Sequence, residues 1–202
     1  MFTSWLQFLK KQITQDTYTS SLAVEKAEYS FYINYLQEGM TVFDVGANIG
    51  EISLLCGHFV GNTGQVHAFE ASDSTFQRLQ TIVEASNLPM IHVHKHAVTE
   101  KSGEALTLYT YGEEHSGWNT LATRPVQTRG ASMAPTGQES VQTIALDDFC
   151  TQQGIDRIHL LKIDVEGAEY QVLKGAKMLL QAKRIDCIVF EFGVTSFDMG
   201  NT

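Results

Sequence analysis

The stretch from Thr41 to Glu51 constrains the fold of this chain most, because it predicts a buried strand, a glycine-containing turn and a helix in direct succession. Val42, Phe43 and Val45 form the β-branched and aromatic run that is typical of a covered parallel strand. After the turn, apolar residues recur at helical spacing from Ile49 to Phe59. The sequence therefore predicts a strand-turn-helix unit whose turn lies at the edge of a parallel sheet.

The two glycines of this turn indicate a site where a ligand touches the backbone. Gly46 can adopt a backbone conformation that other residues avoid, and Gly50 allows the helix to pack closely on the strand. In open α/β sheets, ligands bind beyond the carboxyl ends of the strands at such turns. The unit therefore predicts a nucleotide-type cofactor site.

Two departures from the dinucleotide-binding pattern narrow the choice of cofactor. A GxGxxG loop requires glycine where this chain has Asn48 and Glu51. The Asn48 side chain blocks close approach of a diphosphate, and Glu51 places a negative charge in the helical turn where a phosphate would bind. A nicotinamide-dependent oxidoreductase is therefore the weaker interpretation.

Carboxylates around the same crevice favour a cationic ligand that carries a ribose. Glu70 ends the next predicted strand, where a carboxylate can accept both hydrogen bonds of a ribose diol. Asp44 precedes the turn and can hold an ammonium group directly or through water. S-adenosylmethionine combines a sulfonium, an ammonium and a ribose, so it is the cofactor that this pattern predicts.

Two sequence motifs carry a resemblance to a known family. Asp44-Val45-Gly46-Ala47-Asn48-Ile49-Gly50 and Leu161-Lys162-Ile163-Asp164-Val165-Glu166-Gly167-Ala168-Glu169 together resemble the paired signature of the FkbM-type S-adenosylmethionine-dependent methyltransferases. Similar words occur at Ile144 to Phe149 and at Val172 to Ala176, so the resemblance spans roughly residues 36 to 193. It implies methyl transfer, usually to an oxygen of a sugar, a polyketide-type natural product or another small molecule.

The rest of the chain alternates between strand-like and helical segments, which predicts an α/β fold with a Rossmann-like, doubly wound and mostly parallel sheet. This is the architecture of class I methyltransferases. The predicted strands are Thr41 to Val45, Gln65 to Glu70, Ile91 to His96, Ile158 to Asp164 and Asp186 to Phe192. The predicted helices are Gly50 to Val60, Ser74 to Ser86, Asp147 to Gln153 and Gly167 to Gln181, with Ser72 or Asp73 and Asp147 as N-caps.

The sequence predicts an N-terminal helical segment over residues 1–40 and a cofactor-binding domain over residues 41–202, with a loop-rich insertion at residues 99–141. In the insertion we expect β-hairpins and a mobile loop, with the part from Gly130 to Gly137 disordered or acting as a lid. The family's fold normally continues past a fifth strand through another helix and an antiparallel strand pair. We therefore expect that strand pair to be missing, and an oligomer or fusion partner at this C-terminal edge.

The predicted site residues fall at the carboxyl ends of the strands. We expect Asp164 and Glu166 to be catalytic, because their loop faces the transferred methyl group. There a carboxylate can orient the acceptor hydroxyl, remove its proton or coordinate a divalent metal ion. Alternatively, Asp164 contacts only the cofactor or caps the helix. The resemblance implies that His96 and Ala97 lie near the adenine. The full set of predicted cofactor-binding residues is Asp44, Gly46, Ala47, Asn48, Gly50, Glu51, Glu70, Ala71, His96, Ala97 and Asp164.

The insertion supplies the candidate acceptor pocket. His115, Trp118 and Asn119 belong to a polar and aromatic stretch that is able to line such a pocket. The alternative is a surface insertion that does not contact the site. His92, His94 and His96 alternate along one predicted strand and raise the possibility of zinc. No partner carboxylate is identifiable nearby, so a solvated edge strand is favoured and no metal is expected.

Charge and composition exclude other function classes. The formal net charge of -9 and the lack of a basic run argue against nucleic-acid binding. Three cysteines without metal-ligand spacing fit a reduced, cytoplasmic setting. Lysines 10 and 11 interrupt the apolar pattern from Met1 to Ile13, which predicts neither export nor a membrane span. An amphipathic helix on a membrane surface is the alternative for this segment.

The sequence thus favours an S-adenosylmethionine-dependent methyltransferase that acts on an oxygen of a small molecule or sugar. The alternative is a cofactor-binding module of a larger protein whose catalysis is lost or depends on a partner. Binding of S-adenosylhomocysteine without methyl transfer would distinguish the module from the enzyme.

Overall fold

A computed structural model of the chain describes residues 20–122, 126–128 and 131–190. The chain divides into two units, residues 1–36 and residues 37–202. The described part of the first unit is a helix, α1 (Ser20–Tyr35), in which the rings of Phe31 and Tyr35 stack with centroids 5.2 Å apart. This helix lies within the N-terminal helical segment that the sequence predicts over residues 1–40. The predicted helical pattern from Met1 to Ile13 lies outside the described residues.

The second unit alternates strands and helices, as the sequence predicts. Its described strands are β1 (Thr41–Val45), β2 (Gln65–Phe69), β3 (Ile91–His94), β4 (Ala97–Val98), β5 (Ala105–Thr110), β6 (Val126–Thr128), β7 (Ala131–Met133), β8 (Gly137–Ile144), β9 (Leu160–Ile163) and β10 (Ile188–Phe190). Its described α-helices are α2 (Glu51–Val60), α3 (Asp73–Ser86), α4 (Leu146–Gln153), α5 (Glu169–Lys174) and α6 (Lys177–Gln181). Short 3-10 helices occupy Gly61–Thr63 and Glu113–Trp118.

The central sheet is parallel and doubly wound, which confirms the predicted fold class. Its strand order is β10-β9-β1-β2-β3, and every neighbouring pair runs parallel. The chain winds outward from β1 to β3 and then returns to the other side of β1 through β9 and β10. The direction of winding therefore reverses between β1 and β9, and a ligand site is expected above this point.

Strands in the predicted insertion form a second, smaller sheet. Strand β8 lies between β4, to which it is parallel, and β5, to which it is antiparallel. Strands β6 and β7 pair antiparallel as a separate hairpin. A bridge between Tyr109 and Thr120 extends the far side of β5 and brings the chain after the second 3-10 helix back toward the central sheet.

The core lies between the central sheet and the helices of the carboxyl-terminal half. Phe149 of α4 packs edge-on against Phe43 of β1 and Phe69 of β2, with centroid distances of 5.6 Å and 5.0 Å. Further buried members of this cluster come from β9, α5 and α6, namely Leu161, Ile163, Val172, Ala176 and Leu179. Burial on both faces explains why β1 and β9 read as nearly continuous apolar runs.

Three local predictions were wrong, each because a distant contact decides the structure. The third strand ends at His94 instead of His96, because Ala97 and Val98 pair with β8 in the other sheet. The predicted helix from Gly167 to Gln181 is two helices. They meet at Gly175, where a Cβ atom would lie 2.1 Å from the carbonyl oxygen of Thr99.

The third wrong prediction concerns the start of α4. Helix α4 begins at Leu146, so Asp147 lies inside the helix and is not its N-cap. The Asp147 carboxylate instead accepts hydrogen bonds from the backbone N–H groups of Met178 and Leu179, at 2.8 Å and 3.0 Å. These groups are in the first turn of α6, so Asp147 caps a different helix from the one predicted.

Among the described strands, β10 lies at one edge of the central sheet, and Phe190 is about half exposed. The oligomer or fusion partner predicted for this edge stays a prediction, as do the proposed domain boundaries. Within the described residues, none of the helices has both the length and the apolar character that crossing a membrane requires.

Candidate functional site

A crevice opens at the carboxyl ends of β1, β2 and β9, above the point where the winding reverses. Residues from the loops after these strands, from the segment around β4 and from residues 116–121 line it together. The lining residues are Val45, Gly46, Asn48, Phe69, Glu70, Ala71, His96, Ala97, Val98, Leu108, Ser116, Gly117, Asn119, Leu121, Asp164, Val165, Glu166 and Ala168. Of the predicted acidic and glycine residues, Gly46, Glu70, Asp164 and Glu166 therefore meet at one site.

The glycine-containing loop after β1 forms one wall and approaches the loop after β9 closely. Gly46 has φ +79°, and a Cβ atom there would lie 1.8 Å from the carbonyl oxygen of Asp164. The N–H groups of Gly46 and Ala47 both donate to the carbonyl of Phe69, at 3.0 Å and 2.9 Å. Only glycine fits at position 46 for two reasons. The positive φ is unfavourable for residues with a Cβ atom, and the Asp164 carbonyl occupies the space that a Cβ atom would need.

Glu70 directly follows β2, and its carboxylate accepts hydrogen bonds from the loops on either side of it. One oxygen accepts the Asn48 backbone N–H at 3.0 Å, and the other accepts the Ser72 backbone N–H at 2.9 Å. Burial raises the pKa of Glu70 to about 7, against the opposing effect of these two hydrogen bonds, which favour the charged form. Glu70 thus lines the crevice as a buried acid that titrates near neutral pH.

Asp44 lies beneath the crevice and does not line it. Its side chain is fully buried, and Oδ2 accepts a hydrogen bond from the Ser53 hydroxyl at 2.6 Å. Oδ1 has no hydrogen-bond donor among the described residues, but it lies 3.2 Å from the ammonium of Lys162 and forms an ion pair with it. Within the described residues, the charge of Asp44 is therefore engaged inside the protein.

Lys162 connects Asp44 to the crevice wall. Its Nζ donates to the carbonyl of Gly46 at 3.0 Å and lies 3.4 Å from Oδ2 of Asp164. Burial alone would lower the pKa of this ammonium, but the carboxylates of Asp44 and Asp164 raise it above its ordinary value. Lys162 therefore stays positively charged although it is buried.

Asp164 and Glu166, the predicted catalytic pair, both line the crevice. The Asp164 side chain is 43% exposed, although Lys162 contacts one of its oxygens. Glu166 has φ +50°, a left-handed conformation, and its carbonyl accepts a hydrogen bond from the Thr120 hydroxyl at 2.7 Å. A non-glycine residue held in this conformation is uncommon and concentrates at functional sites.

His96 lies in the crevice, on the turn between β3 and β4. Its Nδ1 is buried and has no hydrogen-bond partner among the described residues. Burial lowers the pKa of His96 from its ordinary value, so the ring is neutral at physiological pH. Ala71 and Ala97 line the crevice beside it.

The segment around the second 3-10 helix closes another side of the crevice. The Ser116 hydroxyl donates to Oδ1 of Asn48 at 2.9 Å, which joins this segment to the glycine-containing loop. Of the three predicted acceptor residues, Asn119 lines the crevice, and its Oδ1 accepts the backbone N–H of Tyr111 at 3.1 Å. His115 and Trp118 are not among the lining residues. Their rings stack on each other with centroids 4.3 Å apart.

Several predicted cofactor residues support the crevice without lining it. Besides Asp44, these are Ala47, Gly50 and Glu51, of which Glu51 begins α2. Sequence reasoning missed Lys162 as part of the site. The available signal was a lysine within an otherwise apolar strand, two residues before Asp164 and therefore on the same face.

The histidines of β3 pack against His67 of β2. The described residues contain no group of three or more His, Cys, Asp or Glu side chains that could hold a metal ion. Nε2 of His94 lies 3.1 Å from Nδ1 of His67, and the His94 ring stacks on Phe69 with centroids 4.9 Å apart. The expectation of a solvated edge was therefore wrong for His94, although β3 is an edge strand.

A family model matches most of the chain, and curated relatives match a large part of it. Residues 44–201 match the family model described as the methyltransferase FkbM domain. The chain is 25% identical over 164 residues to the hexuronic acid methyltransferase AglP of Haloferax volcanii. The aligned region covers 81% of this chain and 61% of that protein. It is 32% identical over 161 residues to the 31-O-demethyl-FK506 methyltransferase FkbM of Streptomyces tacrolimicus. This aligned region covers 70% of this chain and 61% of that relative.

The chain thus spans 61% of the length of each of these two curated relatives. Among solved structures, it is similar to the methyltransferase FkbM from Methylobacillus flagellatus KT, with a TM-score of 0.45 and 16% sequence identity. This similarity covers 89% of this chain and 47% of the other.

Proposed function

The chain belongs to the FkbM methyltransferase family, and on this premise we propose that it transfers a methyl group from S-adenosylmethionine to an oxygen of a sugar or another small molecule. The family match extends from residue 44 to residue 201 and includes every residue that lines the crevice. One relative is named for a hexuronic acid and another for a 31-O position, which supports a hydroxyl group as the acceptor.

The residues of the crevice suit this cofactor. Glu70 lines the crevice just after β2, where a carboxylate can accept hydrogen bonds from the ribose hydroxyls. The buried Nδ1 of His96 is available to a polar group of the adenine. Gly46 lets the loop after β1 pack directly against the Asp164 backbone, which brings these two walls of the crevice together.

The observation that carries the proposal is the Asp164 carboxylate, which is 43% exposed and lines the same crevice as Glu70. S-adenosylmethionine, when bound, supplies an electrophilic methyl group on a positively charged sulfur. Asp164 would orient the acceptor hydroxyl and accept its proton as the oxygen attacks. Such a base contributes about 10² to 10⁴-fold to the rate, and positioning in the crevice can supply up to roughly 7 to 11 kcal/mol of the barrier.

The first prediction concerns Asp164→Asn. We expect kcat to fall by about 10² to 10⁴-fold, because the amide cannot accept the proton. The affinity for S-adenosylhomocysteine, measured by calorimetry, should stay within about threefold, because the contact with the ribose belongs to Glu70. Asp156→Asn is the matched control, since Asp156 precedes β9 at the other end of the sheet and its side chain is 84% exposed. Normal methyl transfer by Asp164→Asn would contradict the assignment.

Transfer itself can be tested with S-adenosylmethionine that carries a radiolabelled methyl group. The acceptor panel should contain the methyl glycosides of glucose and of glucuronic acid together with a cyclic secondary alcohol. Label on an acceptor oxygen supports the proposal, and parallel reactions with EDTA or Mg²⁺ test whether a divalent metal takes part. Binding of S-adenosylhomocysteine without transfer to any acceptor would instead favour a cofactor-binding module.

A further inference from the structure

Lys162 lies where the glycine-containing loop and the catalytic loop meet, and it contacts both. Its ammonium donates to the carbonyl of Gly46 at 3.0 Å on one side and lies 3.4 Å from Oδ2 of Asp164 on the other. The register of the sheet explains this position. Lys162 of β9 is paired with Asp44 of β1, and Asp164 follows two residues later on the same face.

Lys162 does not line the crevice, and its side chain is only 8% exposed. It therefore cannot act on the acceptor by direct contact, and any effect on the reaction must pass through the groups that it touches. Of these, only the carboxylate of Asp164 is both charged and open to the crevice, since Asp44 is fully buried.

The contact with Lys162 divides the two oxygens of Asp164 between different tasks. Oδ2 is held toward the buried ammonium, which limits rotation of the carboxylate about its last torsion angle. The attraction between the two opposite charges favours this orientation of the carboxylate, because the ammonium is buried and poorly screened by solvent. The other oxygen is then left to face the crevice in a fixed direction.

We propose that Lys162 is a positioning residue for methyl transfer, which fixes the Asp164 carboxylate so that its free oxygen faces the acceptor hydroxyl. This inference rests on the proposed function. The competing explanation is structural: Lys162 serves only to balance the buried charge of Asp44. Removal of Lys162 alone would not separate the two, because it would leave Asp44 buried and unpaired, which is strongly destabilising.

A mutant cycle on the Asp44→Asn background separates the two explanations. Asparagine keeps an oxygen acceptor for the Ser53 hydroxyl but carries no charge, so loss of the lysine no longer leaves a buried anion. The variants are Asp44→Asn alone, and the same background with Lys162→Met, with Asp164→Asn, or with both. Lys95→Met is the matched control, because Lys95 is a surface lysine whose side chain is 47% exposed.

We expect Lys162→Met on this background to lower kcat about 100-fold relative to Asp44→Asn, since a misplacement of about 1 Å can have such an effect. The dissociation constant for S-adenosylhomocysteine should change less than about threefold. The backbone of the two loops stays in place in this variant, because the Gly46 N–H still donates to the Phe69 carbonyl and the Asp164 N–H to the Val45 carbonyl. Once Asp164→Asn is present, Lys162→Met should lower kcat by no more than about threefold, because its effect passes through the carboxylate.

Equal kcat values for Asp44→Asn and for Asp44→Asn with Lys162→Met would overturn the proposal, because Lys162 would then only balance charge. A loss of S-adenosylhomocysteine affinity that accounts for the whole effect would also overturn it. Failure of the proposed function looks different, since wild-type protein would bind S-adenosylhomocysteine and methylate none of the panel acceptors. That result removes the premise of the inference before any variant is measured.

Discussion

At the scale of a single residue, Glu70 combines backbone hydrogen bonds that favour its charged form with burial that favours its neutral form. Its carboxylate accepts two backbone N–H groups, from Asn48 and Ser72, and these favour the charged form. Burial nevertheless raises the pKa of this side chain to about 7. Near neutral pH the free protein therefore holds a mixture of protonated and charged Glu70.

The second prediction is that affinity for S-adenosylhomocysteine rises with pH. Ribose hydroxyls donate to the charged carboxylate, so below pH 7 binding must also remove a proton from Glu70. We expect the association constant to increase about tenfold between pH 6 and pH 8, measured by calorimetry. The pKa of His96 is lowered, so this neighbour stays neutral across most of the range.

Glu70→Gln is the control for this pH dependence. It keeps an oxygen acceptor of similar shape but does not titrate, so its affinity should be lower and nearly constant from pH 6 to pH 8. If Glu70→Gln and the wild type show the same rise, another group titrates and Glu70 does not contact the ribose.

The third prediction compares two glycines that share a backbone conformation but differ in their surroundings. Gly46 has φ +79° and Gly103 has φ +77°, but a Cβ atom would meet the Asp164 carbonyl only at position 46. Gly103→Ala should lower the free energy of unfolding by about 1 to 2 kcal/mol, through the backbone angle alone. Gly46→Ala should lower it by about 1 to 3 kcal/mol more, through overpacking, and abolish S-adenosylhomocysteine binding.

Urea denaturation of the two alanine variants measures this difference directly. Equal losses of stability would mean that the loop after β9 moves away from residue 46 without cost. The close approach of the two loops would then not be a constraint on the site.

At the scale of elements, β2 and β3 are joined by a pair of neutral histidines. Nδ1 of His67 lies 3.1 Å from Nε2 of His94, and both rings pack edge-on against Phe149 with centroids 5.3 Å and 4.8 Å away. Burial, and then the neighbouring histidines, lower the pKa of His67 to about 3 and that of His94 to about 4. The packed rings are therefore uncharged over the physiological pH range.

The fourth prediction is a loss of stability in acid that depends on His67. The unfolded chain takes up a proton near pH 6.5, but the folded chain does so only near pH 3. The contribution of neutral His67 to the stability of the fold is therefore fully present above pH 6.5 and decreases as the pH falls. Between pH 6.5 and pH 4.5 we expect the free energy of unfolding to drop by roughly 2 kcal/mol more in the wild type than in His67→Gln.

Urea denaturation at several pH values tests this comparison, and the carboxylates, which both proteins share, cancel in the difference. Parallel pH profiles for the two proteins would show that the His67 ring accepts a proton in the folded state without cost. The packing between β2 and β3 would then have to open in acid.

The elements that the sequence predicted well are those determined by neighbours along the chain. Residues 41–45 form β1, as the apolar run and the following glycines predict. The apolar pattern of a strand and the residues of a turn are both determined by neighbours along the chain. Glu70 was identified for the same reason, since it directly follows a predicted strand. The carboxyl end of each parallel strand points to the same edge of the sheet, so local order was sufficient to bring these residues together.

The features that the sequence did not predict depend on contacts between distant segments. Asp147 follows a normal pattern for an N-cap, but its carboxylate binds the first turn of α6, 31 and 32 residues further along. Lys162 contacts the carbonyl of Gly46, which is 116 residues away. Local spacing does not identify partners so far along the chain, and only the packing of α4 against α6 and of β1 against β9 reveals them.

At the scale of the whole molecule, the crevice is assembled from segments that are far apart in the sequence. It needs the loop after β1, the end of β2, the turn at His96, the segment with Ser116 and the loop after β9. A ligand that contacts several of these segments binds only when the second unit is folded. Cofactor binding should therefore stabilise the fold as a whole.

The backbone of the glycine-containing loop also discriminates between cofactors. The N–H groups of Gly46 and Ala47 donate to Phe69, that of Asn48 donates to Glu70, and that of Gly50 donates to Ala47. A diphosphate needs free N–H groups at this position, and these four are already engaged. Glu51 adds a negative charge at the start of α2, which further disfavours a phosphate.

The fifth prediction follows from these two properties and concerns the melting temperature. S-adenosylhomocysteine at 100 times its dissociation constant should stabilise the fold by about 2.7 kcal/mol, which corresponds to a rise of about 5 to 10 °C for a domain of this size. NADH at the same concentration should change the melting temperature by less than about 1 °C, because four N–H groups of the loop are already engaged and Glu51 repels a diphosphate. Differential scanning fluorimetry measures both, and Glu70→Ala serves as the control that should lose most of the rise. A larger shift with NADH would contradict the selection of a cationic methyl donor over a diphosphate.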